Sequence, residues 1–173
     1  QYPTVYFRLE EDLTLTNSFI QVPSKADAVL DLNGHTITAN QTEGASIFRV
    51  FGRLTIIDTQ GGGRLKGATR YTIRVIEYGR VYIKGGTIEQ TYTSYAVFVA
   101  DSGRFEMTGG TINIVNNDSR IKYGGIRIED NGIVTISGDA RITGRDWHRL
   151  YIESGKLYAD GGTIELGMTI RSN

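Results

Sequence analysis

The sequence predicts an all-β solenoid of about six coils, each built from three short strands, and three observations carry that reading. The first is a segment that keeps returning. Its clearest copy is Tyr78-Gly79-Arg80-Val81-Tyr82-Ile83-Lys84-Gly85-Gly86-Thr87-Ile88-Glu89. Val81 and Ile83 alternate with Tyr82 and Lys84 as a half-buried strand requires, the Gly pair ends that strand, and Thr87-Ile88-Glu89 begins another. The second is the period: aligned at Gly52, Gly79, Gly103, Gly132 and Gly155, the copies are spaced by 27, 24, 29 and 23 residues. That lies in the solenoid range and is irregular enough to place insertions in loops. The third is the ratio of 22 Gly to 2 Pro, which with β-branched runs between the glycines indicates turns at fixed offsets rather than disorder.

Taken in order, residues 1–27 hold three strand-like runs, Thr4 to Leu9, Leu13 to Thr16 and Phe19 to Val22, expected to cap the first coil and protect its open edge. Residues 28–173 are the coils. The first rung, Val29 to Thr38, fits the pattern without a leading Gly. Each later coil has one strand before the turn Gly (Phe48 to Val50, Ile73 to Val75, Val97 to Val99, Ile126 to Ile128, Leu150 to Ile152), one after it and one at the Thr-Ile step. Three inward columns follow. Leu30, Leu54, Val81, Phe105, Val134 and Leu157 form one; Leu32, Ile56, Ile83, Met107, Ile136 and Ala159 another; Ile37, Leu65, Ile88, Ile112, Ile142 and Ile164 the third. Stacked at ~4.8 Å, each fully buried member contributes roughly 1.5 to 3 kcal/mol. Leu166 to Asn173 is too short for an obvious cap, which points to truncation, self-association or a neighbouring domain at the C-terminal end.

On these columns, from Ala28 to Glu165, the chain resembles a right-handed parallel β-helix of the pectin-lyase-like kind. The rung Leu30-Asp31-Leu32-Asn33-Gly34-His35-Thr36-Ile37 is similar to those of large bacterial surface proteins, and phage spikes share the architecture. The resemblance implies an extracellular setting, on a bacterial cell surface or a virion. It does not select an activity, because lyases, hydrolases, adhesins and spikes all use this fold. A β-sandwich would need antiparallel hairpins and would not explain the recurrence of equivalent residues.

Composition narrows the partners. Lys+Arg and Asp+Glu are both 19, so no net field draws the chain to nucleic acid or an anionic membrane. No apolar run approaches the ~20 residues of a spanning helix and no signal peptide precedes Gln1, so the chain reads as soluble, processed or trimmed. There is no Cys, which leaves the redox compartment open.

Two constellations can carry chemistry. Glu77, Asp101, Asp130 and Glu153, each two residues before a turn Gly and mostly followed by a base (Arg80, Arg104, Lys156), form a carboxylate column. At about one coil apart such acids match the spacing of a retaining glycosidase pair or a Ca²⁺ site; as structural groups they would accept turn N–H groups, the bases relieving the stacked charge. The resemblance to pectate lyases implies Ca²⁺-binding acids and an Arg or Lys base on an outward strand face, but in the matching column here, Asp31, Thr55, Tyr82, Glu106, Thr135 and Tyr158, the two acids stand three coils or roughly 14 Å apart. His35 and His148 lack a Ser or Cys partner at a catalytic spacing.

The second constellation lies on the connections into the first strand, which bear Arg70-Tyr71, Tyr92, Tyr95, Arg120, Lys122, Tyr123, Arg145 and Trp147, beside the outward column Arg49, Arg74, Phe98, Arg127 and Tyr151. Rings against sugar C–H faces with Arg donors to hydroxyls would make a glycan platform; the alternative is that the rings simply pack over the coil flank. The candidate ligand-binding residues are Arg74, Tyr92, Tyr95, Tyr123, Arg127 and Trp147. No catalytic set, metal site or cofactor motif is expected, since phosphate loops, zinc spacings and dinucleotide fingerprints are absent from the sequence. The sequence therefore favours a non-catalytic adhesion or glycan-binding module, with a phage tail-spike domain, a polysaccharide lyase or hydrolase, and a plain spacer as alternatives.

Overall fold

An aliphatic side chain recurring at one place in every coil is buried only if the coils stack in register. They do. The computed structural model of the chain describes residues 3–40, 46–91, 94–116, 118, 120, 124–145, 149–165 and 167–170, and no helix occurs among them. The strands form three parallel sheets of seven strands each. Sheet A holds Thr4–Arg8, Asp27–Asp31, Arg53–Ile57, Arg80–Ile83, Arg104–Met107, Ile133–Ser137 and Lys156–Asp160. Sheet B holds Leu13–Thr16, Thr36–Asn40, Arg64–Lys66, Thr87–Gln90, Thr111–Ile114, Arg141–Thr143 and Thr163–Ile164. Sheet C holds Ile20–Val22, Phe48–Val50, Ile73–Val75, Val97–Val99, Ile126–Ile128, Arg149–Ile152 and Gly167–Ile170. The chain visits A, B and C in turn, so each strand pairs with its equivalent one coil on. The result is a parallel β-solenoid in which the six repeat coils supply six strands of each sheet.

The third inward column is reproduced throughout: Ile37, Leu65, Ile88, Ile112, Ile142 and Ile164 are successive partners. From Leu54 and Ile56 onward the first and second columns are too. The first rung departs. Ala28 pairs with Leu54 and Leu30 with Ile56, so Val29 rather than Asp31 stands opposite Thr55. The register marker in this coil is Ala26, whose N–H closes a turn on the Pro23 carbonyl at 2.9 Å, as the Gly79 N–H does on Ile76 at 2.9 Å. Leu32 is thereby carried into the corner between sheets A and B, where it is 1% exposed and packs against Gly63 and Gly86.

The N-terminal runs pair in parallel with the first repeat coil, Thr4 on Asp27, Leu13 on Ile37 and Ile20 on Phe48. They cover that coil as a rung of the same kind and leave their own inner face open: Val5 and Phe7 are 48% and 56% exposed, over a hollow of about 600 Å³. At the other end Gly167–Ile170 completes sheet C beside Arg149–Ile152.

Asp31 locks the corner left by the shifted rung. Its side chain is buried, and it accepts the N–H groups of Asn33 (2.9 Å) and Thr59 (3.0 Å) and the hydroxyls of Thr59 (2.7 Å) and Tyr6 (3.0 Å). Burial alone would raise its pKa, but the Thr59, Asn33 and Tyr6 donors outweigh it and hold the carboxyl below the ordinary Asp range. A depressed folded pKa means the stabilisation is present above the unfolded pKa near ~3.9 and is lost as pH falls through the folded value. Asp31→Ala, which strands these donors, is therefore expected to lower stability by about 2 kcal/mol at pH 7. The gap between parent and variant in thermal melting should narrow below about pH 4. An equal gap at pH 7 and pH 3 would contradict this role.

Candidate functional site

The outward face of sheet C alternates with its buried face residue by residue, so Gln21, Arg49, Arg74, Phe98, Arg127 and Tyr151 share one column. Rings and guanidinium groups interleave along it. Arg49 lies 3.9 Å from the Phe19 ring centre, Arg74 lies 5.7 Å from that of Phe98, and Tyr71 stacks on Phe98 with centres 4.7 Å apart. Tyr71, Tyr95 and Phe98 are buried with Ile76 and Ala100 in a second apolar cluster outside the solenoid core. The loops bearing Arg70 and Tyr95 are tied together by Gln90, fully buried, whose side-chain amide donates to the Arg70 carbonyl at 3.1 Å and the Tyr95 carbonyl at 3.4 Å.

Of the predicted ligand-binding residues, Arg74, Tyr95 and Arg127 fall on this face; Tyr92, Tyr123 and Trp147 lie outside the described residues. Tyr95 is only 4% exposed, so its ring packs over the flank, while Arg74 and Arg127 remain half-buried. Arg127 is the centre of a cluster of rings and carboxylates. Its guanidinium lies 5.3 Å from the Tyr151 ring centre and 6.0 Å from that of Tyr95, pairs closely with Glu129, and is 3.7 Å from Glu153. Burial raises the pKa of Glu129; Arg127 works against this, and the hydrogen-bonded Glu153 carboxyl adds to it, leaving Glu129 above the usual carboxylate range.

Glu129 was not among the residues the sequence pointed to. It follows the strand Ile126–Ile128 at the point where alternation gives way to the turn, and no spacing rule marks it.

The predicted carboxylate column divides. Glu77, Asp101 and Asp130 are exposed on a ridge of turns, whereas Glu153 is drawn toward Arg127 and Glu129. The three exposed carboxylates do not accept the turn N–H groups: Tyr78, Ser102 and Asn131 donate theirs to the carbonyls of Asp101, Asp130 and Ser154 in the next coil. Nor do Arg80, Arg104 and Lys156 form ion pairs with these acids among the described residues. His35 lies 3.5 Å from Asp12, and His148 is outside the described residues. No group of three or more His, Cys, Asp or Glu side chains suited to a metal occurs among the described residues.

In comparisons with protein-family models, with curated proteins and with solved structures, nothing matches this chain.

Proposed function

We propose that this solenoid, of the pectin-lyase-like type, is a non-catalytic extracellular module that binds a glycan on the outward face of sheet C. The observation that carries the reading is the Arg127 cluster, in which a guanidinium is held between two Tyr rings and two carboxylates. Such a group offers fixed donors, acceptors and a ring face without ordering a loop on binding. Catalysis is disfavoured because Glu77, Asp101 and Asp130 stand exposed on turns rather than in a site closed to water.

The test is a glycan array run beside assays for new reducing ends and unsaturated products on the same polysaccharides. Tyr151→Ala is expected to weaken binding about five- to tenfold, with no product released by the parent. Turnover that disappears in Asp101→Asn would establish a lyase or hydrolase instead, and silence in both assays would leave a spacer.

A further inference from the structure

A second surface lies around the corner from the Arg127 cluster. The first positions of the sheet A strands carry Arg53, Arg80, Arg104 and, past Ile133, Lys156, all exposed and in continuous register. Arg53 has a carboxylate partner, Asp27 at 3.5 Å. Arg80, Arg104 and Lys156 form no ion pair among the described residues. Like charges directly opposite on paired strands repel, so Arg80 beside Arg104 is an uncompensated arrangement in the free protein.

The ground beside them is concave. A hollow of about 440 Å³ runs along Arg80, Arg104 and Lys156, edged by the polar groups of Ser102, Asn131 and Ser154. A second, of about 320 Å³, runs along Arg53 and Lys25. The two adjoin at Tyr78 and Arg80 along the stacked strands, and the Tyr78 ring between them is 76% exposed. The acids of the same turns, Glu77, Asp101 and Asp130, line a third hollow, which adjoins the first along Tyr78, Ser102 and Asn131.

We infer that this groove binds a linear acidic polysaccharide along the solenoid axis, its carboxylate or sulfate groups seated on Arg80, Arg104 and Lys156 and a sugar face on Tyr78. The strand spacing sets the fit. Cations recur every ~4.8 Å between Arg53 and Arg104, a rise that one sugar of an extended chain can match with one acid group. Guanidinium forks bind carboxylate and sulfate with two parallel hydrogen bonds, and an open groove with one contact per coil gives affinity that grows with chain length. A single-stranded nucleic acid would meet the same cations and the same acids, Glu106 on the sheet face and Glu77, Asp101 and Asp130 on the turns, so an oligonucleotide is one arm of the test.

Binding is measured with the whole chain against alginate, dextran sulfate, neutral dextran and a single-stranded oligonucleotide, at low and at 0.5 M salt. Alginate marks carboxylate recognition and dextran sulfate sulfate recognition. The expected result is saturable, salt-sensitive binding to at least one acidic polysaccharide and none to dextran. Arg80→Gln with Arg104→Gln should weaken it about tenfold with the melting temperature retained, whereas Arg141→Gln, exposed on sheet B, should leave it unchanged. Should the double variant melt early, Lys156→Gln alone, at the exposed end of the groove, is expected to lower affinity and salt dependence together. Equal binding of dextran, binding untouched by the charge variants, or a preference for the oligonucleotide would overturn the inference. The Tyr151→Ala array result is independent of all three.

Discussion

Ile83→Asp is expected to abolish the folded solenoid at 25 °C. Ile83 is 1% exposed and stacks between Ile56 and Met107 in the middle of the second inward column. The substitution removes an aliphatic side chain, at about 2 to 5 kcal/mol, and leaves a carboxyl with no partner in an apolar column, at several kcal/mol more even if it takes up a proton. Together these approach the roughly 5 to 15 kcal/mol by which a domain is stable. Position matters, because a solenoid coil is held only by its two neighbours. Breaking the coil of Ile83 separates both halves, whereas Leu157→Asp, half-buried in the last coil, is expected to lose that coil and leave the remainder folded. Far-UV circular dichroism and thermal melting distinguish the two. An Ile83→Asp protein that melts within a few degrees of the parent would show that this column is not the core.

The inward columns were legible because alternation and a coil-length period act on the same residues, and no other arrangement buries them all. The one misplaced rung shows what the alignment depended on. Gly marks the turn in the later coils, whereas the first repeat coil carries Ala26 there, so alignment on glycine puts Leu30 and Leu32 two residues out of step. On the surface, alternation correctly put Arg74, Phe98, Arg127 and Tyr151 in one column. It did not foretell that Tyr95 would be buried, since that depends on how a loop of irregular length folds back over the flank, or that Glu129 would turn toward Arg127. The sequence displays the acid column by its side chains, yet the turns are held through their backbone. Stacked coils let the N–H groups of Tyr78, Ser102 and Asn131 reach carbonyls of the next coil, while the turn glycines close on their own turn, which leaves Glu77, Asp101 and Asp130 facing water.

The glycine of each turn also serves differently from what its position suggests, and substitution should expose the difference. In the turn Ile76-Glu77-Tyr78-Gly79 the left-handed residues are Glu77 (φ 52°) and Tyr78 (φ 66°), and the same holds for Asp101 with Ser102 and Asp130 with Asn131. Gly79 is not left-handed, so Ala is compatible with its backbone angles. Space is what forbids it: a Cβ at Gly79 would lie 2.2 Å from the Val50 carbonyl oxygen and 2.9 Å from that of Ile76. Neither atom can withdraw freely, because the Val50 carbonyl accepts the Ile76 N–H at 3.2 Å and the Ile76 carbonyl accepts the Gly79 N–H at 2.9 Å. Gly61 is the opposite case, with φ of 74° and nothing within 4 Å of an added Cβ. Gly61→Ala is expected to cost about 1 kcal/mol, the penalty of a left-handed residue offset in part by a less flexible unfolded chain. Gly79→Ala should cost about 3 kcal/mol or more, since the coils must part to admit a methyl group. For a chain of this length that is a drop in Tm of roughly 6 to 12 °C against roughly 2 to 4 °C. Equal losses would mean that Gly79 is required for its conformation after all, and that the coils do not approach as closely there as the Val50 carbonyl contact requires.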